Sequence, residues 1–135
     1  HAPHTLEEKQ QSYLKAPSGG PLIQHSVVAM FETFHQGKIS VEKIVEKMCH
    51  NPAKIFKIEK RGFIKEGFYA DLAIVNPGLP WNVKQENILA NCGWSPFEKY
   101  NFKSRITHTF VNGELIYQNF KVKDKKVGKR LLFDR

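Results

Sequence analysis

The first residues that could do chemistry are two histidines around a proline, His1-Ala2-Pro3-His4. Imidazoles can ligate a metal, donate to an anion or move protons, and the proline stiffens the turn that carries them. Further on, Ala16-Pro17-Ser18-Gly19-Gly20 offers small residues whose backbone N–H groups approach a ligand closely. Each segment alone also reads as ordinary, a terminal histidine pair and a surface loop. Together, about a dozen residues apart and followed by a helix, they are more specific than either alone. His1 is held equally as a supporting neighbour or a plain loop histidine. Cys49-His50 could ligate a metal, but the plainer reading is a small buried side chain beside a histidine at a helix end. Asp71 sits in an apolar strand pattern and is expected to make structural hydrogen bonds. His25, His35, His50 and His108 have no motif partners and receive no role.

These residues depend on elements of two kinds. Residues 1–21, punctuated by Pro3, Pro17, Gly19, Gly20 and Pro21, read as an irregular loop of functional length. From Leu22 to Gln36 the residues Ile23, Val27, Met30, Phe31 and Phe34 recur at helical spacing, and Gly37 can end that helix. Ser40 is a candidate N-cap for a second stripe, Val41, Ile44, Val45 and Met48. Asn51-Pro52 is expected to break this helix and start a short one over Ala53 to Phe56. Near residue 60 the period changes from 3.6 to 2. Tyr69 to Val75 reads as a largely buried strand, and Trp81 to Tyr100 as a long excursion. Ile106 to Val111 and Glu114 to Tyr117 read as strands joined by the hairpin dipeptide Asn112-Gly113. So few strands do not close a sheet, and an N-terminal segment outside this sequence is expected to complete it.

The bulk numbers exclude several classes. At 41% hydrophobic and 12% aromatic residues, the 135-residue chain is suited to a packed core and not to disorder. No apolar run is long enough to span a bilayer. Two cysteines, Cys49 and Cys92, suit a reducing cytoplasm and not a disulfide scaffold. The net charge of +8 raises nucleic-acid binding, but the excess gathers in Lys121, Lys123, Lys125, Lys126, Lys129 and Arg130, with only Phe120 nearby for stacking. A solvated basic tail is the simpler reading. Residue 1 is His1 and not Met, so the chain is expected to begin inside a longer reading frame or to have been processed.

His1-Ala2-Pro3-His4-Thr5-Leu6-Glu7-Glu8-Lys9 resembles the class I dihydroorotase signature, which reads Asp-His-Ala-Pro-His and then Thr-Leu-Glu-Glu-Lys or similar. Asn51-Pro52-Ala53-Lys54-Ile55-Phe56, Gly62-Phe63-Ile64-Lys65-Glu66-Gly67, Ala70-Asp71-Leu72-Ala73-Ile74-Val75, Ser95-Pro96-Phe97 and Val111-Asn112-Gly113 resemble runs shared across cyclic amidohydrolases. One departure is Gly20-Pro21-Leu22-Ile23-Gln24-His25, where the family usually has Gly-Leu-Glu-Thr.

The resemblance implies an α+β fold. Residues 1–60 would be the last helices of a (β/α)8 barrel and residues 61–135 part of a composite β-sandwich domain. It implies hydrolysis or cyclisation between dihydroorotate and N-carbamoyl-aspartate in pyrimidine synthesis, in the cytoplasm. Two zinc ions would be held by ligands outside this chain. Metal-bound hydroxide would attack the cyclic amide, and an aspartate immediately before His1 would pass the proton on. His4 would then hydrogen-bond the substrate carboxylate, with the Ser18–Gly19 backbone beside it. The expected partners are the small-molecule substrate and the rest of the parent chain, with no nucleic acid or membrane and a homodimer left open. The 135-residue chain alone is expected to be inactive. Hydantoinase or allantoinase activity, or a non-catalytic scaffold, remain alternatives.

Overall fold

The computed structural model of the chain describes residues 4–134. Its first element, the short helix α1 (Leu6–Lys9), lies inside the stretch expected to be irregular. The Thr5 hydroxyl accepts from the Glu8 N–H at 3.2 Å, and the Glu8 carboxylate accepts from the Thr5 N–H at 2.7 Å. This reciprocal capping box satisfies amides that a helix start otherwise leaves without partners. The helix expected from Leu22 begins as a 3-10 turn at Ile23–His25 and continues as α2 (Ser26–His35). Ile23 is therefore 77% exposed and does not join the apolar face. The amides of Gly37 and Lys38 close α2 by donating back to Phe34 and Thr33. Ser40 caps α3 (Val41–Val45), its hydroxyl accepting from the Lys43 N–H at 3.3 Å.

The break expected at Asn51-Pro52 is absent. α3 runs through a π-turn at Glu46–His50 straight into α4 (Asn51–Ile55). Asn51 keeps helical dihedrals, and its N–H donates to the Glu46 carbonyl five residues back. Pro52 lacks an N–H, and its ring crowds the preceding turn of a regular α-helix. The wider π-turn makes room for it.

The strands are β1 (Leu72–Asn76), β2 (Trp81–Asn82), β3 (Asn101–Phe102), β4 (Arg105–Val111), β5 (Glu114–Gln118) and β6 (Lys121–Val122). Four form an antiparallel sheet in the order β1-β4-β5-β6, and β2 pairs with β3. Asn112 and Gly113 both take positive φ, 51° and 84°, giving the type I′ turn whose twist matches the strands it joins. Asp71 supports that turn: its carboxylate accepts from the Asn112 N–H at 2.7 Å and pairs with Arg61. Arg61 also donates to the Asn112 side chain at 2.9 Å. The structural role expected of Asp71 is the one it has.

β1 departs from expectation, because Leu72 and Ile74 are 37% and 49% exposed in a strand read as largely buried. It is an edge strand, paired among the described residues with β4 alone, and of its five residues only Val75 is half-buried. The basic tail is not wholly free: the Glu59 N–H donates to Leu132 and the Asp134 N–H to Lys57, each at 2.9 Å.

The buried core crosses the change of period at residue 60. Val28 of α2 packs with Val83 and Phe102, and Trp81, Phe97 and Ile106 close around them. The buried Glu32 carboxylate accepts from the Lys103 N–H at 2.7 Å, tying α2 to the end of β3. Ser104 receives the His35 ring on its hydroxyl at 2.8 Å and the Trp81 indole N–H on its carbonyl at 2.9 Å. Among the described residues, no helix is long and apolar enough to cross a membrane.

Candidate functional site

His4 is half-buried just before α1, its Nδ1 3.6 Å from the Glu8 carboxylate that also caps the helix. Ser18 and Gly19 are exposed in the loop beyond α1. Gly19 has φ +94°, a left-handed conformation that any side chain would strain. No direct bond joins His4 to Ser18 or Gly19; the side chains of Lys9 and Trp94 connect their surroundings. The Lys9 ammonium donates to the carbonyls of Pro17 and Gly19, the latter at 2.9 Å. The Trp94 indole N–H donates to the His4 carbonyl at 2.8 Å. Lys9 closes the run that resembles the dihydroorotase signature. Nothing local in the sequence marks Trp94, which meets His4 across 90 positions. His1 lies outside the described residues.

The larger cavity, about 560 Å³, lies elsewhere, between the Ile23–Gln24 turn and the sheet face carrying Arg105, Ile116 and Tyr117. Neither it nor a second cavity of about 420 Å³ is lined by His4, Ser18 or Gly19. Among the described residues, no three His, Cys, Asp or Glu side chains converge to hold a metal ion. Cys49 and His50 form no such group: Cys49 is an exposed thiol, and His50 stacks on Phe63 with centroids 4.4 Å apart. The two zinc ions implied by the resemblance therefore do not fit the described residues.

His25, given no role, is the most buried histidine among the described residues. It is 1% exposed, its Nδ1 lies 3.2 Å from the Ser95 hydroxyl, and it sits among the rings of Trp81, Phe97 and Phe102. Its Nε2 is buried without a partner among the described residues. Desolvation holds the imidazole below its ordinary value of 6.5. The unfolded chain thus takes up a proton near pH 6.5 that the folded chain refuses. Stability is complete above that value and is lost as pH falls from it toward the lower folded value. Urea titrations at pH 7.5 and 5.5 should show this loss, and His25→Gln should flatten it. An equal slope in the variant would assign the loss to other groups.

Residues 15–116 match the family model for amidohydrolases. The chain belongs to the amidohydrolase family. Its likeness to dihydroorotases extends over nearly its whole length. It is 35% identical to the dihydroorotase of Pyrococcus furiosus over 132 residues, covering 98% of this amidohydrolase chain and 31% of that protein. It is 36% identical to that of Clostridioides difficile over 118 residues, covering 87% and 27%. The chain thus spans about three tenths of the length of the curated relatives it matches. Among solved structures, the L-hydantoinase (dihydropyrimidinase) of Arthrobacter aurescens superposes with a TM-score of 0.76 at 27% identity, over 82% of this chain and 25% of that one. A D-hydantoinase from Thermus sp. gives 0.81 at 20% identity, over 91% and 28%, a likeness of fold. The mixed helix-and-sheet architecture is thus that of part of an amidohydrolase.

Proposed function

We propose that this chain is the C-terminal part of a dihydroorotase and supplies one side of its substrate pocket. In this reading residues 1–60 end the barrel and residues 61–135 belong to the small β-domain. The carrying observation is the match to dihydroorotases across 98% of the chain, which includes the segments of His4 and Ser18–Gly19. His4 hydrogen-bonds the carboxylate of dihydroorotate, and the Ser18–Gly19 backbone closes on the same anion. A charge-assisted bond from an imidazole on a stiff turn suits that task. The zinc ligands and the proton-transferring aspartate lie in chain beyond these 135 residues.

In the longer polypeptide, dihydroorotate should be turned over in preference to hydantoin and allantoin. Preference for either of the latter would favour the hydantoinase-type reading, toward which the Arthrobacter aurescens superposition leans. The isolated 135-residue chain with zinc should turn over none of them. His4→Ala should raise KM for dihydroorotate by about ten- to a hundredfold, the loss of one hydrogen bond to a charged group. An unchanged KM would remove His4 from the pocket.

A further inference from the structure

Lys9 and Trp94 both act on the segments that carry His4, Ser18 and Gly19. Lys9 lies at the end of α1, and its ammonium takes the carbonyls of Pro17 and Gly19. In a trans peptide the carbonyl and the next N–H point in opposite directions. Two carbonyls turned toward Lys9 therefore turn the N–H groups of Ser18 and Gly20 away from it. Neither of those N–H groups donates to a backbone carbonyl among the described residues. Two amides without a backbone acceptor, on a loop of small residues, can donate to an anion.

Trp94 touches the segments of both His4 and Gly20. Its indole N–H holds the His4 carbonyl at 2.8 Å, and the far edge of its ring lies 3.6 Å from where a Cβ on Gly20 would stand. One rigid side chain thus touches both segments. Trp94 is itself fixed from the core side. Next to it, the buried Ser95 hydroxyl accepts from the Phe97 N–H at 3.1 Å and meets His25 at 3.2 Å. Gln24 adds a second stitch, donating to the Asn87 carbonyl at 2.7 Å and accepting from the Leu89 N–H at 2.8 Å. The excursion between β2 and β3 is thereby held against the start of α2.

We propose that Lys9 and Trp94 are positioning residues for the substrate carboxylate. Lys9 aims the Ser18 and Gly20 amides, and Trp94 fixes their distance from His4. This rests on the dihydroorotase reading above. In the longer polypeptide, Lys9→Met should raise KM for dihydroorotate about tenfold, with kcat changed less than about twofold, because misaimed donors weaken binding of the anion. Lys9→Arg, which keeps a donating cation, should restore most of the loss. Trp94→Phe keeps a ring and loses the N–H, and should shift KM in the same direction by about threefold. Inhibition by orotate, which carries the carboxylate, should weaken in step, whereas inhibition by dihydrouracil, which lacks it, should not. Equal losses for both inhibitors, or a KM within twofold of wild type in Lys9→Met, would overturn the proposal. If the wild-type protein fails to turn over dihydroorotate, the functional reading fails, and the brace is decided on the 135-residue chain. There, Lys9→Met and Trp94→Phe should lower the backbone NMR order parameters of Ser18 and Gly20, with Lys9→Arg near wild type; unchanged order parameters would sink the brace itself.

Discussion

Phe102→Ala should cost the fold about 3–5 kcal/mol, the range for removing a fully buried aromatic ring from a packed core. Phe102 has no exposed surface, although its strand β3 is only two residues long. Its ring centroid lies 4.8 Å from that of Tyr100, 5.3 Å from Phe97, 5.7 Å from Trp81 and 5.9 Å from His25. Those partners come from the turn before α2, from β2 and from the excursion before β3. Truncation leaves a void that they can fill only by leaving the positions that also hold Trp94. Tyr13→Ala is the matched control, since Tyr13 is 94% exposed and should change stability by less than about 0.5 kcal/mol. Urea denaturation of the two variants measures the difference. A loss below about 1 kcal/mol for Phe102→Ala would mean that the two halves do not share a core.

What the sequence made legible was local. The Ser40 cap, the end of α2 at Gly37 and the Asn112-Gly113 hairpin each follow from one or two residues whose backbone preference no tertiary contact opposes. Thr5 and Glu8 carried an equally local signal for α1, hidden by the prolines and glycines around it. The continuous helix through Pro52 was not legible in the same way. Pro at a first helical position and Pro beside a π-turn look alike until the Asn51-to-Glu46 bond is seen. β1 misled for a different reason. The run Leu72-Ala73-Ile74-Val75 has the composition of a strand covered on both faces, yet the described residues do not cover it.

The candidate site divides along the same line. His4, Ser18 and Gly19 were singled out because their segments resemble the dihydroorotase signature and its substrate loop. The groups that hold them could not be, because Trp94 meets His4 and Ser95 meets His25 across 90 and 70 positions. Long-range partners of this sort leave no periodic trace. His25 shows how such a residue is misjudged. It has no motif partner, yet its buried ring meets Ser95, next to the Trp94 that bonds the His4 carbonyl.

Gly62→Ala should destabilise the chain by about 2–4 kcal/mol, through a backbone conformation and a contact that act together. Gly62 has φ +79°, and a Cβ there would stand 2.5 Å from the Ala53 Cβ and 2.7 Å from the Cys49 carbonyl oxygen. Ala53 is 6% exposed on α4, and the Cys49 carbonyl belongs to the π-turn that accommodates Pro52. Neither atom is the loose end of a flexible side chain, so relief requires moving helix backbone. Gly67 separates the two causes, for it has the same φ of +79° with nothing within 4 Å of the added Cβ. Gly67→Ala should therefore show the conformational term alone, about 1–2 kcal/mol. The excess at Gly62, read from paired urea melts, measures how tightly the entry to the sheet half closes on the helix. Equal losses at the two glycines would refute that close approach and leave the π-turn without its packing partner.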